Sequence, residues 1–137
     1  MLSMNGLRKA VKREMYRQER YGGSFTLVAI SIRTGGARCS GQEELLRSSA
    51  KTISRTLRET DISAYVGDGV FAILLVELKK MDAEEILVRL AEKIRVGAGP
   101  QLGIRAEIDY EFETWSESDP ADMDTINDML KKFRKKM

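Results

Sequence analysis

Hydrophobic and polar positions along the chain follow two different periods. Apolar residues three or four positions apart predict helices, whereas apolar runs and strict alternation predict strands. The expected order is helix, strand, helix, two strands, helix, strand and helix. The predicted helices cover residues 5–19 and 42–57, with a third beginning at Asp82 and a fourth at Asp119 and Pro120, and the predicted strands cover residues 25–32, 62–66, 70–76 and 104–112.

The predicted strands differ in how much of their surface is apolar. Residues 25–32 (FTLVAISI) are apolar enough for both faces to be buried. Gly67, Asp68 and Gly69 separate the next two strands, and small residues that tolerate positive φ favour a hairpin there. Residues 104–112 alternate strictly, which predicts one buried and one solvated face. The solvated face carries Glu107, Asp109 and Glu111.

The apolar stripes of the helices predict which side chains face the core. They comprise Leu7, Val11 and Met15 in the first helix, Leu46, Ala50, Ile53 and Leu57 in the second, Ile86, Leu87, Leu90, Ala91 and Ile94 in the third, and Met123, Ile126, Leu130 and Phe133 in the fourth. Residues 33–41 and 97–103 contain glycines and lack a period, so both are predicted to be loops.

This order of elements predicts the α+β class. A hairpin between helices favours a ferredoxin-like antiparallel sheet flanked by helices. The chain has 137 residues, no repeat and no composition change, so we expect one domain over residues 1–137.

Composition narrows the classes of function. The formal net charge is +2, which predicts no nucleic-acid partner, and no apolar run is long enough for a membrane span or a signal peptide. Cys39 is the single cysteine, which excludes an internal disulfide and favours a reducing, cytoplasmic setting. Histidine is absent, so the commonest general base is missing. We therefore expect a protein that binds or regulates rather than an enzyme.

Several short segments occur at a characteristic spacing. Arg58 and Asp61 form an RxxD motif, a gap of five residues follows, and then come Gly67-Asp68-Gly69-Val70-Phe71 and Ala91-Glu92-Lys93-Ile94-Arg95. Asn5-Gly6-Leu7, Arg20-Tyr21-Gly22 and, more weakly, residues 126–134 also fit. Together these segments resemble the GGDEF family, the diguanylate cyclase domain of bacterial cyclic di-GMP signalling. The resemblance implies a nucleotidyl-cyclase-type fold.

Departures from the family pattern fall on its metal ligands. The hairpin position that holds a metal-binding acid in the family is Gly69 here, and Ser31 stands where the resemblance implies a metal-binding aspartate. Asp68 lies one residue before the Gly69 position, and a shift of one residue in a strand or hairpin turns the side chain to the other face. Phosphoryl transfer depends on positioned metal ions, so we expect a degenerate domain with no cyclase activity, no metal and no cofactor.

The RxxD motif has two interpretations. In the family it forms the inhibitory site for cyclic di-GMP, which implies a receptor in which Arg58 and Asp61 bind guanine and Lys93 or Arg95 assists. Arginine can pair bidentately with guanine, although lysine lacks the planar fork. Alternatively, Arg58 and Asp61 pair with each other, and the domain is a nucleotide-independent protein-interaction or dimerisation module.

Two further features leave alternatives open. Trp115 is either an exposed contact anchor or part of the core. The resemblance implies that the basic first helix links to an upstream sensor or pairs with its copy in a dimer, which makes it a candidate dimer contact. The terminal lysines and arginines are expected to be a solvated helix end. Whether the chain is a fragment of a larger sensor protein stays open.

Overall fold

The structure is a computed structural model, and it describes residues 1–35, 41–76, 80–102, 105–116 and 122–135. Four helices and four strands occur within those residues, in the order that the sequence predicts. They are α1 (Met4–Tyr21), β1 (Phe25–Thr34), α2 (Gln42–Thr56), β2 (Ile62–Gly67), β3 (Val70–Val76), α3 (Lys80–Leu102), β4 (Ala106–Trp115) and α4 (Met123–Lys135).

The described strands form one antiparallel sheet in the order β2-β3-β1-β4. Each hydrogen-bonded neighbour of β1 comes from a distant part of the chain. In β1 the segment from Phe25 to Ile32 is buried throughout, as expected for a strand covered on both faces. The α+β class with a sheet flanked by helices is confirmed.

Helices cover both faces of the sheet and produce two hydrophobic cores. The α1/α4 core contains buried side chains of α1, α4 and the sheet, among them Leu7, Val11, Leu27, Leu74, Trp115 and Ile126. The α2/α3 core contains buried side chains of α2, α3 and the opposite sheet face, among them Leu45, Ile53, Val28, Ile73, Leu87 and Ile94. Trp115 is therefore a core residue, and its ring lies 5.4 Å from that of Phe25.

The first residues of the chain cover one edge of the sheet. Leu2 forms an isolated parallel bridge with Ala64 on β2. The Leu2 amide donates to the Ser63 carbonyl at 2.9 Å, and the Tyr65 amide donates to the Leu2 carbonyl at 3.2 Å. Ser3 then caps α1 by accepting a hydrogen bond from the Gly6 amide at 3.3 Å.

The buried faces of the helices differ from the predicted stripes at several positions, and the predicted Met15 of α1 and Ile86 of α3 are only partly buried. The buried residues of α2 are Leu45, Ser49 and Ile53, whereas the predicted Leu46, Ala50 and Leu57 are only partly buried. The stripe is rotated by one residue because Leu45 and Leu46 are adjacent and tertiary packing selects between them. In α4, Ile126 is buried as predicted and Met129 joins it. The side chains of Met123, Leu130 and Phe133 lie outside the described residues.

Several predicted boundaries are wrong. Residues 97–102 continue α3 instead of forming a loop, because Ala98 is fully buried in the α2/α3 core. Arg33 and Thr34 extend β1, and β4 reaches Trp115. β4 begins at Ala106 and α4 begins at Met123, later than predicted. Residues 36–40, Ile104, Asp119 and Pro120 lie outside the described residues.

Candidate functional site

The β2–β3 turn is built from three residues with left-handed backbone. Gly67, Asp68 and Gly69 have φ angles of 99°, 53° and 76°. Glycine adopts such angles without strain, and aspartate is one of the few other residues that tolerates them. The Gly69 amide donates to the Tyr65 hydroxyl at 3.0 Å, which ties the turn to β2. Asp68 is exposed at the tip.

The sheet brings this turn next to the end of β1. Ser31 is the register partner of Val70, and the Ile32 amide donates to the Gly69 carbonyl at 2.9 Å. The two positions to which the resemblance gives metal ligands are therefore neighbours. However, one carries the buried hydroxyl of Ser31 and the other, Gly69, has no side chain.

Acidic side chains near this corner do not form a metal site in the described residues. Asp109 on β4 is the register partner of Ser31, but its side chain is exposed and lies 3.8 Å from the Arg33 guanidinium. Within the described ranges, no group of three His, Cys, Asp or Glu side chains could hold a metal ion. At the two positions to which the resemblance gives metal ligands, the side chains are thus a hydroxyl and a hydrogen rather than two carboxylates.

Arg58 and Asp61 form a closed pair in the turn between α2 and β2. The Arg58 guanidinium donates to both carboxylate oxygens of Asp61, from Nε to Oδ2 at 3.2 Å and from Nη2 to Oδ1 at 3.0 Å. The backbone reinforces the pair, because the Arg58 amide donates to Asp61 Oδ2 at 3.1 Å and the Asp61 amide donates to the Arg58 carbonyl at 3.0 Å. This is the bidentate geometry that makes arginine–carboxylate pairs strong.

The closed pair also has a structural partner in the sheet. Arg58 Nη2 donates to the Val76 carbonyl at 2.8 Å, at the end of β3. The Asp61 side chain is 2% exposed and the Arg58 side chain is 50% exposed. The carboxylate is thus enclosed, while half of the arginine faces solvent.

The other two predicted ligand residues are not part of this pair. Lys93 and Arg95 are exposed residues of α3. In the described part of the chain, neither makes a hydrogen bond or ion pair with Arg58 or Asp61. The structure therefore brings together two of the four predicted site residues.

A shallow, open groove formed by side chains of α3 alone was not predicted from the sequence. It has a volume of about 530 Å³ and is lined by Glu84, Glu85, Val88, Arg89 and Glu92. Val88 is 53% exposed. The signal available in the sequence was an apolar residue off the buried stripe of the helix, next to several carboxylates.

No protein-family model matches the sequence, and no curated protein matches it. Solved structures do match. The GGDEF domain of FimX from Pseudomonas aeruginosa is 18% identical with a TM-score of 0.74, and the match covers 93% of this chain and 83% of that chain. The coiled coil and GGDEF domain of DgcB from Caulobacter crescentus, in complex with c-di-GMP, is 14% identical with a TM-score of 0.65, covering 88% and 68%.

The diguanylate cyclase SiaD from Pseudomonas aeruginosa, in complex with its activator SiaC, is also similar. It is 18% identical with a TM-score of 0.67, and the match covers 92% of this chain. This chain spans 50% of the length of the SiaD chain. The similarity extends over most of the chain in all three comparisons, so this protein has a GGDEF-like fold.

Proposed function

From the GGDEF-like fold we infer a catalytically inactive domain that acts as a nucleotide-independent protein-interaction module in bacterial signalling. The observation that carries the proposal is the closed Arg58–Asp61 pair. Both Asp61 oxygens accept hydrogen bonds from Arg58, and the carboxylate is 2% exposed. A guanine that used these groups would have to replace hydrogen bonds that already hold the α2–β2 turn together and attach it to the end of β3.

The corner between Ser31 and Gly69 supports the absence of cyclase activity. A cyclase needs metal ions to neutralise the charge that develops on the transferred phosphoryl group. Ser31 supplies one hydroxyl, and Gly69 supplies no side chain. In the described residues, the acid that lies opposite Ser31 in the sheet is Asp109, which is exposed and paired with Arg33.

The proposed setting is the bacterial cytoplasm. The resemblance and the single cysteine, Cys39, favour it. In the described part of the chain, no helix is both long and apolar enough to span a membrane.

A receptor for cyclic di-GMP is the second candidate function. The half-exposed Arg58 side chain favours it, because a guanidinium held flat by a carboxylate offers a planar cation on which a purine can stack. DgcB, which has a similar fold, is in complex with c-di-GMP. In this version Arg58 and Asp61 bind the bases, and Lys93 or Arg95 contacts a phosphate.

Isothermal titration of the purified chain with cyclic di-GMP separates the two functions. The interaction module predicts no heat for the wild type or for Arg58→Ala. Binding at micromolar concentration that Arg58→Ala abolishes would replace the first function by the second. Incubation with GTP and Mg²⁺ tests the shared claim of inactivity, and cyclic di-GMP formed above the level of a protein-free control would contradict it.

A further inference from the structure

The outer side of α3 combines exposed apolar residues with an acidic groove. Val88 and Val96 are 53% and 60% exposed, and Val96 lies about 80° further around the axis of α3 than Val88, at 3.6 residues per turn. Three carboxylates and one guanidinium surround Val88 in the groove. The guanidinium, Arg89, already lies 3.8 Å from Glu85. The lining of this α3 groove therefore carries three carboxylates against one guanidinium around Val88. The exposed Arg95, about two turns after Val88 on the same side of the helix, adds a second cation beside the groove.

The outer side of α1 has the complementary composition. Five exposed basic residues lie on α1, namely Lys9, Lys12, Arg13, Arg17 and Arg20. Tyr16, which is 60% exposed, lies among them. Residues 9, 12, 13, 16 and 20 fall on one side at the three- and four-residue spacing of a helix surface. The α1 basic face thus presents an amphipathic ring with four cations on its side of the helix and one exposed acid, Glu19, beside it.

We propose that the α3 groove of one copy binds the α1 basic face of a second copy. Tyr16 packs against Val88, and the cations of α1 face Glu84, Glu85 and Glu92. Tyrosine suits the apolar centre because its ring buries area while its hydroxyl stays solvated. This proposal rests on the proposed function, since it specifies the surface through which the interaction module associates.

The fold determines what kind of assembly this contact makes. α1 contributes to the α1/α4 core and α3 to the α2/α3 core, so the two surfaces lie on opposite sides of the sheet. One copy cannot bring them together. Two copies joined in this way leave one groove and one basic face unoccupied, and a head-to-tail contact that does not close extends into a chain.

The energetics predict a weak contact that depends on salt. One helix against a groove gives a small interface, which is typical of transient association. Exposed charges that meet across it are screened when the Debye length falls from about 10 Å at 0.1 M salt to about 3 Å at 1 M. Sedimentation velocity should show a weight-average sedimentation coefficient that rises with concentration at low salt and falls to the monomer value near 1 M.

Two variants test the contact from its two sides. Tyr16→Glu changes the basic face and leaves the groove intact, whereas Val88→Arg changes the groove and leaves the basic face intact. Both side chains are more than half exposed, so circular dichroism should match that of the wild type. Each variant alone should stay monomeric. A mixture of the two should form a dimer with one copy of each, because one intact groove meets one intact basic face.

The control is Lys51→Glu, which changes an exposed charge on α2 and should associate as the wild type does. A wild-type chain that stays monomeric at all concentrations would overturn the proposal that a second copy binds the α3 groove. The titration with cyclic di-GMP tests the proposed function independently of that result. Association that the variants leave intact, or that their mixture does not restore, also overturns it. If either variant misfolds, Lys12→Glu and Glu92→Lys make the same test from the same two sides.

Discussion

Single carboxylates in this chain fix local structure by accepting backbone amides. Asp61 accepts from the Arg58 amide at 3.1 Å, and Asp122 accepts from the Thr125 amide at 2.8 Å. Aspartate is suited to both positions because its short side chain returns to nearby amides. The spacing of Arg58 and Asp61 could be read from the sequence, but the attachment of the pair to β3 could not, since Arg58 Nη2 donates to the Val76 carbonyl, 15 residues after Asp61.

Acid should weaken the cap of α4 at Asp122. Hydrogen bonds from the Thr125 amide, and next from its hydroxyl, lower the pKa of the Asp122 carboxyl below its ordinary value of 3.8. A folded-state pKa below the unfolded one stabilises the fold at pH above the unfolded value. This stabilisation is lost as the pH falls through the folded pKa.

Two measurements check the Asp122 prediction. A carboxyl titration followed by NMR should give Asp122 a pKa below 3.8. The difference in unfolding free energy between the wild type and Asp122→Asn should shrink as the pH falls below that value. A measured pKa at or above the ordinary value would contradict the cap.

At the scale of elements, packing decides the boundaries that local sequence leaves open. The hairpin between β2 and β3 was predictable because hairpin turns require positive φ angles, which glycine and aspartate tolerate. The end of α3 was not, because Gly97 and the following glycine and proline argue locally for a loop, while Ala98 is held in the α2/α3 core. The rotation of α2 has the same origin, since Leu45 and Leu46 are equally apolar.

Gly97→Ala should stabilise the protein by about 0.4–1 kcal/mol, because alanine restricts the unfolded chain more than glycine does. A Cβ at Gly97 would lie 3.8 Å from Ser48 Oγ and 4.0 Å from Thr52 Oγ1, which is ordinary contact with α2. Urea unfolding measures the difference. Gly23→Ala is the matched control, because Gly23 has a φ of 95° and alanine there should lose roughly 1–2 kcal/mol. Equal effects at the two positions would contradict the helical continuation of α3.

At the scale of the whole molecule, β1 joins the two cores. Leu27 belongs to the α1/α4 core and Val28 to the α2/α3 core, so neighbouring residues of one strand point into different helical layers. The apolar run of β1 predicted burial on both faces correctly. The proximity of Ser31 and Gly69 could not be predicted without the order of the strands, since the two residues are close only because β3 lies beside β1.

A substitution in one core should therefore destabilise both cores together, so that they unfold in one transition. Leu87→Ala, which removes a fully buried side chain from the α2/α3 core, should lower the unfolding free energy by about 2–5 kcal/mol. Trp115 fluorescence reports the opposite core, and its urea midpoint should shift together with the far-ultraviolet circular dichroism. Separate midpoints for the two probes would show that the layers unfold independently.

The two edges of the sheet bear on how this chain resists aggregation. Leu2 forms backbone hydrogen bonds with Ser63 and Tyr65 on the outer side of β2. An incoming strand would have to displace Leu2 before it could pair with β2. The other edge, β4, carries Glu107 and Asp109 on its exposed face, and repeated carboxylates repel a second copy of the same strand. Copies held close together by their helices are thereby discouraged from joining their sheets into a cross-β stack.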